Sequence, residues 1–422
     1  MVPSEDNEYT IVFYPLNEAA SSTYEKFSDL VFSTSIFGHL VFDVNQLIAV
    51  SRRNVNGIYD EQQEMEFANA LGQEFYRTIF RGYDYPDLTQ LSLSDRDAAG
   101  QLKQVPFSLG FEDGLAAYIG QSADGLDFPR SLGPNEYSKL DQALFAPWAN
   151  GIPGYSYSTQ DFFFYVLNAF APADPYAFIA DSYEGVLELI RVRAGRPDVE
   201  DFDDVVREAR NAVDIALDRF YGATLADVYW DYAYNRAYGH DAASRIRRSE
   251  QSIQPNTFSA DQFTENGFLE HTYVADNETL TIQPSTNPEL ARIPPLATRA
   301  VLLNAGNLAG ELRLAVNAYE WTPDLAGNSV RLVIYRERLI DEEEGTYAPV
   351  GSPVELTPAD SQVTLDDFGE ATGESRFDRA IILMANLALD RTFEVTLSAT
   401  MYTGAPVEQT GTLGGIVIDA SN

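Results

Sequence analysis

The hydrophobic pattern of this chain changes its period near residue 250. Before that point the apolar residues recur every three to four positions, which is the period of an α-helix. After it they occur in short runs separated by Gly, Pro, Asn and Asp, which is typical of β-strands joined by turns. The change predicts an α+β chain with a mainly helical domain and a small sheet over residues 1–250, a polar linker at 251–262, and an antiparallel, Ig-like β-sandwich over 263–422.

The first half contains two strand-like runs and a series of helical patterns. Glu8–Pro15 and His39–Asp43 are rich in β-branched and aromatic residues, which favour strands. A long helix is predicted from Asp60 to Arg81, because Gly82 follows it where a helix-ending glycine belongs. The further predicted helices, several of which begin with capping residues, cover 111–119, 162–170, 175–194, 201–221 and 228–238.

The second half contains eight runs with strand character. They are separated by turn signals such as Ala326-Gly327-Asn328. The predicted strands are Thr272–Ile282, Arg299–Leu303, Glu311–Ala318, Ser329–Arg336, Gln362–Leu365, Arg379–Leu383, Thr392–Thr400 and Gly415–Ile418. Seven or eight short strands within about 150 residues predict two sheets packed as a sandwich.

The composition excludes several kinds of site. The chain has no cysteine, so it forms no disulfide and has no thiolate metal site or cysteine nucleophile. Its three histidines, His39, His240 and His271, are scattered and leave few ligands for zinc or copper. The formal net charge is −36. Nucleic acid is therefore not an expected partner, because binding it requires a basic surface.

The same charge indicates the medium in which the protein works. The chain is 45% hydrophobic, enough to build a core, so its 64 acidic residues must lie mainly on the surface. Such a surface suits a salty medium, where repulsion between like charges is screened over short distances. No apolar run is long enough for a transmembrane helix, and the residues after Met1 lack the features of a signal peptide. We expect an extracellular or cell-surface protein of a salt-adapted microbe, its signal peptide removed; the alternative is a cytoplasmic protein of a haloarchaeon.

One predicted helix carries residues that point to a family. The segment Phe67–Asp84 reads FANALGQEFYRTIFRGYD. It resembles the zinc helix of the gluzincin-type metallopeptidases, which carries His-Glu-x-x-His followed by an aromatic pair and Gly-Tyr-Asp. In that family two imidazoles lie one turn apart on one helix face, beside a glutamate that acts as general base. The matching residues here are Gln73, Glu74 and Arg77, so the glutamate is kept and both histidines are replaced.

A second segment fits the same family. Phe111–Tyr118 reads FEDGLAAY and is similar to the Glu-Gly-x-Ala-x-aromatic helix that supplies the third zinc ligand; Asp113 stands at the ligand position, next to Glu112. The resemblance covers residues 60–240 and implies a zincin-like domain followed by a β-sandwich, as in large extracellular bacterial members. The aromatic residues that would line a groove beside the old site are Tyr76, Tyr118, Tyr155 and Tyr157.

The departures from the family motif predict a pseudopeptidase without zinc. Gln73 offers a neutral amide, which is a poor zinc ligand, and Arg77 keeps its proton and has no lone pair for a metal. We hypothesise that the charge of Arg77 replaces the metal ion by pairing with Glu74, three residues earlier, and with Glu112 or Asp113. The alternative is that this segment is the solvated face of an ordinary amphipathic helix.

Other patterns are compatible with further sites. Glu74 with Glu112 and Asp113 is compatible with the acid and base of a glycoside hydrolase, although a chain with so many acids offers many such pairs. The run Asp341–Glu344 offers ligands for a structural calcium, and a solvated loop is the simpler interpretation. The aromatic cluster at 155–165 favours core packing over a sugar or peptide groove. Asn277-Glu278-Thr279 is an N-glycosylation sequon, which matters only outside the cytosol.

These observations predict a protein that is not a catalyst. We expect an extracellular or cell-surface pseudopeptidase that acts by binding a protein partner or by self-assembly, with no cofactor and no nucleic acid. A structural role, as in a surface layer or filament, fits a soluble, disulfide-free chain. The competing prediction is an active secreted hydrolase, either a peptidase or a glycoside hydrolase, with a carboxylate-based site.

Overall fold

The structure is a computed structural model that describes residues 10–14, 39–43, 139–144, 162–163, 165–166, 177–178, 181, 202–238, 258–318, 330–341, 343 and 345–403. Most of this part is β-structure. Its strands are β1 (Thr10–Tyr14), β2 (His39–Asp43), β3 (Phe268–Thr272), β4 (Thr279–Ile282), β5 (Arg292–Ile293), β6 (Ala297–Asn304), β7 (Gly310–Ala318), β8 (Val330–Asp341), β9 (Thr346–Pro349), β10 (Val354–Leu356), β11 (Gln362–Phe368), β12 (Arg379–Asn386) and β13 (Phe393–Tyr402).

The strands after residue 260 form two sheets that pack face to face. The six-stranded sheet has the order β10–β8–β12–β6–β3, with β9 paired to β8, and the five-stranded sheet has the order β11–β7–β13–β4, with β5 paired to β13. Their inner faces share one hydrophobic core, to which β12 contributes Ile382 and Met384 and β13 contributes Val395 and Leu397. Far from these sheets in sequence, β1 and β2 form a separate parallel pair.

The central strands of the six-stranded sheet are buried on both faces. All residues of β12 from Ala380 to Asn386 are buried, and so are all residues of β6 except the last. Both strands read as nearly continuous apolar runs, which is what burial on two faces requires. By contrast, β13 alternates strictly between buried and half-buried residues. Its sheet therefore has one packed face and one face toward the solvent.

Two helices lie on the outer face of the six-stranded sheet. They are α1 (Phe202–Tyr221) and α2 (Leu225–Tyr238). Gly222, at φ 62°, follows α1 in the left-handed conformation of a helix-ending residue. Thr224 caps α2, because its hydroxyl accepts the N–H of Asp227 and donates to the Asp227 carboxylate. Both helices thus begin or end where the capping residues in the sequence predict.

The helices and the sheet share a second hydrophobic core. Its sheet residues point away from the sandwich interior and include Ala300 and Leu302 of β6 and Ile381 and Leu383 of β12. Its helix residues include Val213, Leu217, Val228 and Tyr232, and the helical residues Phe162, Phe163, Tyr165, Val166 and Phe178 join the same core. The described part is therefore built as three layers: helices, the six-stranded sheet and the five-stranded sheet.

The fold class predicted from the sequence is wrong. In place of a mainly helical domain followed by a sandwich, the described part is mainly β, with two large sheets and the helices α1, α2 and α3 (Pro288–Ala291). The physical reason is that the six-stranded sheet has two apolar faces, and both must be covered. The outer face of the six-stranded sheet is as apolar as its inner face, so α1 and α2 cover that face instead of forming a helical core of their own.

The antiparallel topology also needs a correction. The run Thr272–Ile282 is not one strand but parts of β3 and β4, separated by a turn, and β3 pairs with β6 in parallel. The chain between these two strands passes through β4 and β5, which belong with the five-stranded sheet, so it returns to β6 in the same direction. The predicted strand Gly415–Ile418 lies outside the described residues, and the division into domains at 250 stays a prediction.

Candidate functional site

The residues predicted to form a vestigial metallopeptidase site lie outside the described part of the chain. They are Gln73, Glu74, Tyr76, Arg77, Glu112, Asp113, Tyr118, Tyr155 and Tyr157. The hypothesis that Arg77 replaces a zinc ion therefore stays a prediction. Of the aromatic cluster at 155–165, Phe162 and Phe163 are fully buried and Tyr165 is nearly so. For these three residues, core packing is confirmed and a groove is not.

Two clusters of buried charged groups stand out in the described residues, and the first surrounds Arg299. From β6 this side chain donates to the carbonyl oxygens of Glu289, at 3.0 Å, and Arg292, at 3.4 Å, and to that of Asp141. The carboxylate of Asp141 in turn accepts the N–H and the hydroxyl of Thr264. Because these donors and acceptors satisfy one another, the cluster ties the segment 139–144 to the sheet.

Two helix residues bond to the same segment. Arg210 of α1 donates from Nε and one terminal nitrogen to the carbonyl of Leu144, at 3.1 and 2.8 Å, and from the other to the carbonyl of Leu389, at 2.7 Å. Tyr229 of α2 donates its hydroxyl to the carbonyl of Leu140, at 3.3 Å, and lies 3.1 Å from the hydroxyl of Thr298. These bonds align both helices on the sheet, so the cluster is structural.

The second buried cluster lies beneath the end of α2. Arg379 of β12 donates to the carboxylate of Glu337, its direct partner on β8, and its guanidinium carbon lies 3.5 Å from the ring centre of Tyr347. Glu337 is only 1% exposed, so the two charges neutralise each other away from water. Above them the ring of Tyr238 packs on Tyr335, with centroids 4.3 Å apart. The pair can hold layers together, but it offers no charge to a ligand.

The tyrosines of this junction titrate abnormally because they are buried. Burial raises the pKa of Tyr229, and the hydrogen bond to Thr298 offsets only part of that effect. Burial also raises the pKa of Tyr238, and nearby Glu337 raises it further. The pKa of Tyr335 is raised by burial as well. At neutral pH these hydroxyls stay protonated, so none of them serves as a proton acceptor.

The outer face of the five-stranded sheet presents mainly small polar side chains. Alternate residues of β13, namely Thr396, Ser398 and Thr400, point to this face, and their partners across the strands are on the same face. Ser398 pairs with Thr281 of β4 and Ala315 of β7. We define the open face as Thr279, Thr281, Ala315, Asn317, Gln362, Thr364, Thr396, Ser398 and Thr400, all exposed or half-buried.

Two ion pairs lie on the same side of the sheet as the residues of the open face. Thr279 and Thr400 share a hydroxyl–hydroxyl hydrogen bond of 2.9 Å across β4 and β13. Arg313, which is the neighbour of Thr364 and Thr400 across the strands, pairs with Glu311, and its guanidinium lies 4.0 Å from the Tyr402 ring centre. At the end of the sheet Arg292 bonds Glu394 at 2.9 Å. In a protein of net charge −36, this is a surface on which a second protein meets little like-charge repulsion.

Metal ligands are not assembled in the described residues. Nowhere among them do three or more His, Asp or Glu side chains come together as a metal site. In the acidic loop after β8, the Asp341 carboxylate accepts the N–H of Glu343 at 2.9 Å, as in a solvated turn. Among the helices of the described part, none is long and apolar enough to cross a membrane.

The open face was not found from the sequence. The sequence of Phe393–Tyr402 alternates between apolar and polar residues, which predicts one polar side for that strand. Which strands lie beside it, and hence whether the polar residues form a continuous surface, depends on pairings between β4, β7, β11 and β13. These partners are separated by as many as 120 residues, and a single sequence carries no signal for such pairing.

Comparisons with known proteins add no family to these observations. A scan against models of protein families gives no match, and neither does a search of curated proteins. Among solved structures, the chain is similar to the crystal structure of the Yersinia pseudotuberculosis-derived mitogen (YPM), at 12% sequence identity over 32% of this chain and 96% of that chain, with a TM-score of 0.20. This TM-score is too low for the likeness to bear on fold or function, and the resemblance to gluzincin-type metallopeptidases stays a prediction.

Proposed function

We propose that this is an extracellular or cell-surface protein of a salt-adapted microbe that binds protein, foremost further copies of itself, and does not act as a catalyst. The observation that carries the proposal is the open face. Small, neutral side chains from four neighbouring strands lie there together with the paired Arg313, while the chain as a whole carries a net charge of −36. Two copies can approach there with little repulsion between like charges, because Arg313 is paired with Glu311.

The buried charges support the same proposal. Arg210 and Arg299 have their donors directed at backbone carbonyls, and Arg379 pairs with Glu337. These side chains stabilise the layered structure from within, so a partner would bind to residues on the surface. High salt suits such an association, because it shortens the range of repulsion between the acidic surfaces to about 3 Å at 1 M, from about 10 Å at 0.1 M.

Sedimentation velocity and negative-stain microscopy at low and high salt test this function. We expect larger, regular species to form as NaCl is raised from about 0.1 M to about 2 M, where the Debye length becomes very short. Ser398→Arg places a charge at the centre of the open face and should weaken association at least tenfold, about 1.4 kcal/mol. Thr372→Arg, at an exposed position in the loop between β11 and β12, makes the same change in net charge and should leave association intact.

Two outcomes would overturn the proposal. The first is that the wild-type protein and both arginine variants sediment as monomers at every salt concentration. The second is stoichiometric zinc together with chelator-sensitive peptidase activity, or glycosidase activity, in the purified protein.

A further inference from the structure

The turn between β3 and β4 carries the single Asn-x-Thr or Asn-x-Ser sequence in the chain, Asn277-Glu278-Thr279. This turn joins edge strands of the two sheets, since β3 ends the six-stranded sheet and β4 ends the five-stranded sheet. We infer that Asn277 is a site of N-glycosylation. The inference rests on the proposed location outside the cell, because the sugar donor and transferase of this reaction act there or in a secretory compartment.

The side chain of Asn277 is presented outward by a well-defined turn. Asn277 is exposed and has φ 58°, a left-handed conformation that asparagine tolerates better than most residues. Its backbone N–H donates to the carbonyl of Met401 at 2.8 Å, and Met401 donates back to the carbonyl of Glu278 at 3.0 Å. The backbone is thereby held against β13, while the carboxamide stays on the surface.

Neighbouring carboxylates hold the same turn. Glu278 accepts the N–H groups of Val274, at 2.8 Å, and Ala275, at 3.2 Å, and Asp276 accepts that of Thr403 at 2.7 Å. The other oxygen of Asp276 accepts a hydrogen bond from the Asn277 carboxamide nitrogen, also at 2.7 Å. The acceptor nitrogen is therefore oriented by a surface carboxylate and is not engaged in the core.

The second required residue lies on the surface as well. Thr279 is exposed at the start of β4, where its hydroxyl bonds that of Thr400. In the described residues β4 pairs with β13 on one side, so the sequon continues into an edge strand. A hydrophilic glycan at Asn277 would also shield that edge, whose unpaired backbone groups otherwise favour strand addition by another chain.

The reaction is a group transfer without oxidation or reduction. The Nδ2 atom of Asn277 attacks the anomeric carbon of a polyprenyl-phosphate-linked oligosaccharide. A carbon–nitrogen bond forms and the carbon–oxygen bond to the phosphate breaks. The phosphate leaves with the bonding electron pair, and one amide proton passes to a base of the transferase.

Mass spectrometry of the protein from its source cells, after separation of the extracellular and cytoplasmic fractions, tests the inference. We expect an intact mass above that of the polypeptide, with the whole excess on the peptide that contains Asn277. Asn277→Gln and Thr279→Val should remove the excess, and Thr279→Ser should retain it. Asn307→Gln, an exposed asparagine outside any sequon, should change nothing. Circular dichroism shows whether each variant is folded.

A failure of the glycosylation inference can be distinguished from a failure of the proposed function. An unmodified Asn277 peptide from folded protein in the extracellular fraction would overturn glycosylation and leave the proposed function standing. Unmodified protein confined to the cytoplasm would overturn both the proposed location and this inference.

Discussion

Two tyrosines of helix α2 differ in what their hydroxyl groups contact. Tyr229 bonds Leu140 and Thr298, whereas the hydroxyl of Tyr238 is buried without a hydrogen-bond partner. A buried polar group without a partner destabilises the folded state, and a bonded one contributes modestly to stability. The same chemical change should therefore have different effects at two positions about two and a half turns apart on one helix.

We predict that Tyr229→Phe lowers the free energy of unfolding by about 1 kcal/mol, because the hydroxyl's hydrogen bonds to the Leu140 carbonyl and the Thr298 hydroxyl are lost. Tyr238→Phe should change it by less than about 0.5 kcal/mol or raise it. Urea unfolding of the two variants in the same buffer measures the difference. Equal destabilisation by both substitutions would show that Tyr238 has a partner that this structure lacks.

Arg299 is the buried arginine whose replacement should destabilise the fold strongly. It is 5% exposed and donates to three carbonyl oxygens. Arg299→Met leaves those three carbonyls without this donor and removes the positive charge 3.9 Å from the Asp141 carboxylate, and we predict a loss of about 3 kcal/mol in the free energy of unfolding. The control is Arg292→Met, which removes an exposed pair with Glu394 and should cost at most about 1 kcal/mol. Similar losses in the two variants would contradict this assignment.

Strand β12 is the element on which both cores depend. Ile381 points to the helices and Ile382 to the other sheet, and both are fully buried. We predict that Ile381→Ala and Ile382→Ala each lower the free energy of unfolding by about 2–4 kcal/mol, because each leaves a cavity in a packed layer. Hydrogen exchange separates their effects: Ile381→Ala should lower protection mainly in α2, and Ile382→Ala mainly in the five-stranded sheet. A cost below about 0.5 kcal/mol for Ile381→Ala would mean that the helices do not cover this face.

Single elements were often predictable from the sequence. The helix pattern over 201–221 and the capping residues at 224–227 correspond to α1 and α2, since both signals come from residues within one or two turns of each other. The long run Thr272–Ile282 was not predictable as two strands. Its break lies at Asp276, Asn277 and Glu278, whose carboxylates and backbone bond to residues near 401–403, more than 120 positions away.

The molecule as a whole should not tolerate removal of its helical layer. The outer face of the six-stranded sheet buries Ala300, Leu302, Ile381 and Leu383 against the helices, and exposed apolar surface of this kind promotes association. We predict that a fragment of residues 251–422 aggregates when it is produced alone. Light scattering and solubility measurements after expression check this outcome.

A matched variant of the fragment serves as control. Replacing Leu302, Ile381 and Leu383 together with threonine should restore solubility, because it makes the uncovered face polar without touching the inner core. A soluble, monomeric wild-type fragment that unfolds cooperatively would contradict the layered arrangement. It would instead support the division into independent domains that the sequence predicts at residue 250.

The sequence by itself determined the helices α1 and α2 and most of the longer strands of the described part, that the chain has no cysteine chemistry, and that its net charge is −36. Those features depend on composition and on contacts between near neighbours. Only the tertiary structure decided that the helices cover a sheet, that β3 and β6 run parallel, and that small side chains of four strands form one open face. The reason is that layer packing and strand order are set by contacts between residues far apart in the chain, where one apolar face can be buried equally well against a helix or another sheet.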